Sequence, residues 1–281
     1  MNTVTPRLIS DFRKYLIQEE KSINTIEKYV RDITAFAAWL DGREVCKECT
    51  LMYKNELMEK YAPGSVNSVI SSLNSFFDYM EWYDVRIKTL KIQRRIFASK
   101  DKELTKAEYE RLLTAAKSKK NQRLYYLMQT ICSTGIRISE LRFITASAVK
   151  TGQATINCKG KMRVIILPNE LCRMLTKYMI AMEITSGPVF VSRNGLPLDR
   201  SHIWKMLKNL CETANVSRDK VFPHNFRHLF ARTYYSLQKD IVRLADILGH
   251  SSINTTRIYT IESGDVHRRQ MQRLGLLHQW A

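Results

Sequence analysis

The spacing of hydrophobic residues predicts that the first part of the chain is helical. Between Ile26 and Leu40, and again between Val66 and Met80, apolar residues recur every three to four positions. This is the period of a helix that buries one face. Shorter patterns over residues 5–18 and 50–60 predict two further helices. Together these segments predict an all-helical domain over residues 1–97.

Two of the predicted helices begin with recognisable capping residues. Asn24 precedes an apolar helical pattern and is followed three positions later by Glu27, so we predict Asn24 as an N-cap. Thr105 and Glu108 repeat this arrangement at the start of the second part of the chain. We therefore predict that helix formation resumes there with a capping box.

The hydrophobic pattern changes between residues 154 and 167, where β-branched residues flank a basic tip that contains glycine. This pattern predicts a β-hairpin. Residues 188–191 could add a third strand, and the rest of the chain is predicted to be helical. The fold class is therefore mainly α (α+β), with a small antiparallel sheet inside a mostly helical domain over residues 98–281.

The segment KIQRRIFASKDK, residues 91–102, is polar, basic and without a hydrophobic period. We interpret it as the linker between the two domains. Its charges, which include Arg94 and Arg95, could be simply solvated or could lie along phosphate groups.

Charge is distributed unevenly between the two predicted domains. The net charge is +18, with 45 basic and 27 acidic residues. Residues 1–97 hold 15 basic and 13 acidic residues, whereas residues 98–281 hold 30 and 14. Such an excess indicates a polyanionic partner and favours nucleic acid. A membrane surface is the competing polyanion, but no basic amphipathic helix with a bulky apolar face is evident.

The sequence also limits the cellular locations and the cofactors that we expect for this protein. It shows no signal peptide and no apolar run long enough to span a membrane, so we expect a cytoplasmic protein. It shows no Walker-type glycine loop and no spaced carboxylate cluster for Mg²⁺. Cys46 and Cys49 lack the second pair of ligands that zinc requires. We therefore expect neither a metal nor a cofactor.

The candidate chemistry is concentrated between residues 224 and 259. His224 and Arg227 lie three positions apart, and His250 and Tyr259 follow. A guanidinium matches two phosphate oxygens, and an imidazole adds a proton donor or acceptor near neutral pH. A tyrosine oxygen can attack phosphorus and form a covalent link. This combination indicates a site that acts on phosphodiesters.

Four segments resemble the signature motifs of the tyrosine recombinase, or phage integrase, family, in that family's order and spacing. They are TGIRISEL at 134–141, CKGKMR at 158–163, HNFRH at 224–228 and LGHSSINTTRIY at 248–259. The helical first domain is similar to the family's SAM-like core-binding domain. The resemblance therefore covers almost the whole chain, and it implies site-specific DNA recombination.

The resemblance implies a role for each of six catalytic residues. These residues are Arg137, Lys159, His224, Arg227, His250 and Tyr259. Tyr259 matches the nucleophile, which forms a 3′-phosphotyrosyl bond and leaves a free 5′-hydroxyl. The two arginines match those that clamp the non-bridging oxygens, and Lys159 matches the lysine that protonates the departing oxygen. The two histidines match the positions that complete the cage around the phosphate.

Three of these assignments have competing interpretations. Tyr259 could be a core residue, and Tyr234 or Tyr235 could be the nucleophile instead, although their position within a helical pattern favours packing. Lys161 competes with Lys159 because either residue could lie at the tip of the hairpin.

Two neighbouring residues are also open to more than one interpretation. His224 and His228 have the spacing of metal ligands on a helix, but no third ligand is evident, and His228 could equally be a neighbour of the site. Glu140 lies one turn beyond Arg137 and could either orient it or form a surface salt bridge with it.

Other basic residues are predicted to contact DNA. They are Lys28, Arg31, Arg94, Arg95, Lys161, Arg163, Arg193, Lys205 and Lys208. The tail after Tyr259 has apolar periodicity. It is predicted to form a helix that docks on a neighbouring subunit, although it could fold back on its own domain.

The resemblance further implies a homotetramer that acts on double-stranded DNA with short inverted-repeat sites. An accessory directionality factor could take part, and we expect the protein at the bacterial nucleoid. We expect the chain to begin with the core-binding domain, without the arm-binding module of lambda-type integrases. A type IB topoisomerase and a DNA-binding protein without catalysis are the alternative functions.

Overall fold

Two compact units, Met1–Arg94 and Arg95–Ala281, make up the protein. The computed structural model describes residues 2–92, 102–158, 161–192, 194–259 and 271–273, and at positions 158 and 161 the backbone alone. The predicted domain boundary between residues 97 and 98 lies outside the described residues.

In the described part of the first unit there are four α-helices, in agreement with the hydrophobic pattern, and a short 3-10 helix, Tyr83–Val85. The α-helices are α1 Pro6–Gln18, α2 Ile23–Leu40, α3 Lys47–Lys60 and α4 Pro63–Tyr79. Their apolar faces meet in a core that is rich in aromatic rings. Phe36, Phe76 and Phe77 are completely buried there, and the rings of Phe36 and Phe77 meet edge to face with their centroids 6.0 Å apart. Burial of these rings stabilises the packing of the helices.

One predicted helix start in this unit was wrong. Helix α2 begins two residues earlier than expected, because Ser22 is its N-cap and its hydroxyl accepts a hydrogen bond from the backbone N–H of Thr25. Asn24, the predicted N-cap, lies within the first turn. Serine and asparagine are similarly good N-caps, so the local sequence alone did not decide between them.

The second unit surrounds one hairpin with helices. Its α-helices in the described residues are α5 Lys106–Ser118, α6 Gln122–Thr134, α7 Ala146–Thr151, α8 Asn169–Ala181, α9 Arg200–Lys208, α10 Pro223–Gln238, α11 Ile241–Leu248 and α12 Ile253–Thr256. Short 3-10 helices span Ile138–Phe143 and Arg257–Tyr259. The predicted capping box of α5, formed by Thr105 and Glu108, is present.

The hairpin has the predicted position but no third strand. Strand β1 (Gln153–Cys158) pairs antiparallel with β2 (Lys161–Ile166). The segment predicted as a third strand, 188–191, instead makes isolated bridges, from Thr145 to Pro188 and from Val191 to Pro197. The prolines limit this pairing because they donate no backbone hydrogen bond.

Helix α10 packs against α6, and this pair carries the centre of the second core. Leu127, Met128 and Phe226 are completely buried there. Helix α6 ends at Gly135, which adopts a left-handed conformation with φ of +63°. A Cβ at this position would come within 2.5 Å of Phe230 and 2.9 Å of Leu248. A glycine is therefore required where α6 passes close to α10 and α11.

We predict that Gly135→Ala destabilises the second unit more than Gly152→Ala does. Both glycines end helices with positive φ, but a Cβ at position 152 meets nothing closer than 4.0 Å. We expect a loss of about 1 kcal/mol in the free energy of unfolding for Gly152→Ala. For Gly135→Ala we expect about 2–4 kcal/mol, because overpacking adds to backbone strain. Calorimetry of the full chain measures both, and equal losses would contradict the packing argument.

Candidate active site

A buried arginine lies at the centre of the candidate site. The side chain of Arg227 on α10 is 1% exposed. One terminal nitrogen of its guanidinium donates to the carbonyl oxygen of Gly135. The other donates to the carbonyl oxygen of Leu248 at 2.8 Å and lies 3.0 Å from Nε2 of His250. The guanidinium thereby joins the ends of α6 and α11 to the start of α10.

The start of α10 places three side chains of the candidate site together. Pro223 occupies the first helical position, where its fixed φ favours helix formation. His224, Arg227 and His228 then follow at a spacing of three and four residues, which places them on one face of the helix. The rings of His224 and His228 meet at 71° with their centroids 4.5 Å apart.

The hydrogen bonds of His250 define its tautomer. Because a guanidinium nitrogen can only donate, Nε2 of His250 must accept from Arg227. Nδ1 lies 2.8 Å from the hydroxyl oxygen of Thr256. It therefore carries the ring proton and donates a hydrogen bond to that hydroxyl. Burial, and next the charge of Arg227, lowers the pKa of His250 to about 4. His250 is therefore a neutral imidazole at pH 7.

Tyr259 is buried within this group of side chains. It is 3% exposed and packs against Ala231, Leu244 and Leu248. Its ring meets that of His228 at 85°, with the centroids 4.7 Å apart, and stacks on that of His250 at 5.9 Å. Tyr259 is therefore buried as a core residue would be, but its neighbours include His228 and the predicted catalytic residue His250.

Arg137 approaches Arg227 from another segment of the chain. Its side chain is 38% exposed, and one of its terminal nitrogens donates to the carbonyl oxygen of Gly249 at 3.3 Å. Glu140, which is 4% exposed, accepts hydrogen bonds from the backbone N–H of Arg137 at 2.9 Å and from its guanidinium at 3.1 Å. Because Glu140 is buried, the interpretation as a surface salt bridge is wrong, and the carboxylate orients Arg137.

A cavity of about 380 Å³ opens beside these residues. Arg137, His224, Arg227, Arg200 and Trp204 line it together with the first residues of α10, and none of its lining residues is acidic. The N-terminus of a helix adds partial positive charge to such a site. The cavity therefore suits a phosphate group.

The charge state of the site also favours an anion. Burial, followed by the charge of Arg137, lowers the pKa of Arg227 to about 10, while Tyr259 opposes this shift. Arg227 therefore keeps its charge at neutral pH. Burial, followed by the charge of Arg227, lowers the pKa of His224, so its neutral form, which can accept a proton, is favoured.

Tyr234 and Tyr235, the competing nucleophiles, and the possible metal ligands lie among the described residues. Tyr234 and Tyr235 are partly buried against the cluster that contains Tyr259, as their helical position predicted. Among the described residues, no group of three metal-ligating side chains gathers. Lys159 and the side chain of Lys161 lie outside the described residues.

Three of the residues predicted to contact DNA have charged groups that bind partners within the protein, and their contact with DNA stays a prediction. Lys28 pairs with Asp32 and also donates to the hydroxyl of Ser72 at 3.1 Å. Lys208, 8% exposed, donates to a backbone carbonyl oxygen. The side chain of Arg163 is 16% exposed and its guanidinium points into the domain.

Arg31 and Lys205 are exposed, and their contact with DNA stays a prediction. Arg94, Arg95 and Arg193 lie outside the described residues, as does the predicted tail helix except for residues 271–273.

Three residues at the site, Arg200, Trp204 and Thr256, were not predicted from the sequence. Arg200 and Trp204 share one face of α9 because they are four positions apart. In the sequence, the available signal was an arginine followed four positions later by a tryptophan. The structure shows that Trp204 is 45% exposed. Thr256 gave no such signal, because its bond to His250 depends on the turn at Gly249.

Models of two protein families match the chain. The SAM-like N-terminal domain of phage integrases matches residues 9–83. The phage integrase family itself matches residues 102–264, and this match extends over more than half of the chain and all the catalytic positions predicted above. The chain belongs to the phage integrase family.

Individual relatives of this integrase agree with that assignment. The tyrosine recombinase XerD of Halalkalibacterium halodurans is 27% identical over 286 residues, covering 92% of this chain and 94% of the relative. The tyrosine recombinase XerA of Pyrococcus furiosus is 28% identical, covering 98% and 96%. The structure of a lambda integrase tetramer bound to a Holliday junction has the same fold, with a TM-score of 0.72 and 20% identity over 92% of this chain and 78% of the other.

This integrase is therefore a site-specific tyrosine recombinase, an enzyme that cleaves and rejoins DNA. Its mostly helical fold with a small antiparallel sheet agrees with the predicted fold class. The two alternative functions, a type IB topoisomerase and a silent DNA-binding protein, are not favoured by these relatives.

We predict that acid destabilises the second unit through His228 and His250. Burial, followed by the charge of His224, lowers the pKa of His228 to about 4, the same value as for His250. An unfolded histidine titrates near about 6.5. Between these two values the unfolded chain binds more protons, so the free energy of unfolding should fall as the pH decreases from 6.5 to 4.

NMR titration of the two imidazoles, together with unfolding measured between pH 7 and 4.5, checks this prediction. His228→Gln should make the pH dependence shallower by removing one of the two groups. Titration midpoints near 6.5 in the folded protein would contradict it.

Proposed function

We propose that Tyr259 is the nucleophile of this recombinase and that Arg137, Lys159, His224, Arg227 and His250 act with it. The observation that supports this proposal best is the position of the Tyr259 ring, which contacts the imidazoles of both His228 and His250. A tyrosine buried among apolar side chains alone would have no group beside it that could stabilise a phosphate.

In the proposed first step, the Tyr259 oxygen attacks the scissile phosphorus. The bond between phosphorus and the 5′-oxygen breaks as the tyrosine–phosphorus bond forms, and the proton of the phenol passes to the neutral imidazole of His224, whose pKa is lowered. Arg137 and Arg227 stabilise the negative charge on the non-bridging oxygens. A preorganised donor of this kind typically contributes about 10²–10³ in rate. Because both arginines are already held by carbonyl oxygens and Glu140, little reorganisation is needed.

In the same step, Lys159 donates a proton to the departing 5′-oxygen. In the reverse step, a 5′-hydroxyl attacks the 3′-phosphotyrosine and releases Tyr259. The phosphotyrosine retains the free energy of the cleaved phosphodiester, so rejoining requires no nucleotide.

The proposed partner is double-stranded DNA with short inverted-repeat sites, bound by residues 1–97 and by the catalytic domain, residues 98–281. We propose a homotetramer on DNA in which the tail after Tyr259 docks on a neighbouring subunit. An accessory directionality factor is a further proposed partner. The lambda integrase structure, a tetramer on a Holliday junction, supports the tetramer.

We also propose that the protein acts in the cytoplasm at the bacterial nucleoid. Among the residues that the structure describes, no helix combines the length and the apolar character needed to cross a bilayer.

We predict that Tyr259→Phe abolishes formation of the covalent adduct on a nicked suicide substrate, because only the phenol oxygen is removed. DNA binding, measured by gel shift, should persist. Tyr234→Phe and Tyr235→Phe are matched controls on the same cluster and should still form the adduct. An adduct with Tyr259→Phe, or its loss with either control, would contradict the assignment.

We predict that Lys159→Ala slows cleavage of a normal substrate but not of one whose 5′-bridging oxygen is replaced by sulfur. A thiol has a pKa of about 8.5, far below that of an alcohol, so its thiolate leaves without prior protonation. Lys161→Ala is the control, and its ratio of rates on the two substrates should equal that of the unmodified enzyme. Rescue of Lys161→Ala by sulfur would instead assign the general acid to Lys161.

A further inference from the structure

Arg163 connects three segments of the site, although it lies on none of the elements that carry Arg137, Arg227 or Tyr259. Arg163 pairs with Ile156 across the hairpin. Cross-strand partners share a face of the sheet, and Ile156 is 1% exposed. The neighbours Met162 and Val164 are 74% and 54% exposed. The alternation of the strand therefore turns Arg163 towards the core.

The guanidinium of Arg163 binds two acceptors from different segments. One terminal nitrogen donates to the carbonyl oxygen of Ile247 in the last turn of α11, at 2.8 Å. The other donates to Oε2 of Glu140 at 2.5 Å. Burial alone would raise the pKa of Glu140. The hydrogen bond from the backbone of Arg137, followed by the charge of Arg163, outweighs burial, and the pKa of Glu140 lies below its ordinary value.

The corner between α11 and α12 passes directly over the Arg163 side chain. Gly249 has φ of +63°, and a Cβ there would lie 2.5 Å from Cδ of Arg163. The carbonyl oxygen of Gly249 also accepts a hydrogen bond from Arg137. His250 is the next residue. Arg163 therefore supports the backbone from which both His250 and one contact of Arg137 are positioned.

We infer that Arg163 is a positioning residue for DNA cleavage, because its fork ties strand β2 to Glu140, which holds Arg137, and to the corner that carries His250. The inference rests on the proposed function. Strand β2 also follows the hairpin connection that contains Lys159 in the sequence. A planar fork can bind two acceptors in fixed directions, which lysine cannot do.

The test separates positioning from DNA contact by measuring affinity and chemistry independently. Arg163→Met removes the charge and keeps most of the side-chain length. A phosphate contact would reduce the slope of log affinity against log salt by about one when the arginine is lost. We expect an unchanged slope, together with a cleavage rate constant at saturating enzyme that falls about 10²-fold, the effect of a misplacement of about 1 Å.

A surface ion pair provides the matched control. Arg173 pairs with Glu170 on α8 at 2.9 Å, and both side chains are about 70% exposed. Arg173→Met removes the same charge from a comparable pair and should leave the cleavage rate constant unchanged. Glu140→Gln, alone and combined with Arg163→Met, completes a double-mutant cycle. We expect the double variant to be slower by much less than the product of the two single effects, because both act through one network.

Several outcomes would overturn the inference. These are a wild-type rate of cleavage for Arg163→Met, a reduced salt slope, or independent effects of Arg163 and Glu140. If Arg163→Met does not fold, as judged by circular dichroism, Arg163→Lys carries the test. It keeps the charge but can satisfy only one of the two acceptors, so cleavage should still slow at unchanged affinity. If the unmodified protein forms no covalent adduct, the proposed function fails, which is a different result from normal cleavage by the Arg163 variants.

Discussion

A buried guanidinium, that of Arg227, is the interaction on which the candidate site depends. Burying a charge is costly unless it is compensated. Here the carbonyl oxygens of Gly135 and Leu248, at the C-terminal ends of α6 and α11, accept its hydrogen bonds. Helix C-termini carry partial negative charge, so they stabilise the cation, with which no acidic side chain of the described residues pairs. The guanidinium is thus available for a phosphate, whereas a carboxylate would neutralise it.

The same packing that stabilises Arg227 brings the remaining groups together. Each of the helices α6 and α11 is followed by a glycine with positive φ, Gly135 and Gly249, and a Cβ would meet Phe230 at the first position and Arg163 at the second. The turn at Gly249 then places His250 where its Nε2 accepts from Arg227. Tyr259, the last residue of the 3-10 helix that follows α12, packs beside that imidazole. The site is therefore an arrangement of helix ends, and its geometry depends on the second core.

Much of this architecture was predictable, and the errors have identifiable causes. The helices were found because an amphipathic period repeats over several turns, and the hairpin because β-branched residues flank a glycine. The N-cap of α2 was misplaced because Ser22 and Asn24 are comparable caps. The possible third strand at 188–191 makes isolated bridges instead, and an apolar run in the sequence does not reveal whether a partner strand is available.

The sequence by itself determined the helical periodicity, the excess of positive charge in the second unit and, through the family resemblance, the catalytic residue types. These are properties of residue chemistry and spacing, which are present before the chain folds. Only the tertiary structure decided which charges face inward. Arg163 and Lys208 carry the same charge as exposed residues, but Glu140 and the carbonyl oxygen of Arg218 are brought to them by folding. Lys28 pairs with Asp32 within one helix, whereas its bond to Ser72 on α4 depends on tertiary packing. The sequence specifies which side chains are charged, whereas the removal of water from a charged group depends on how the folded protein packs around it.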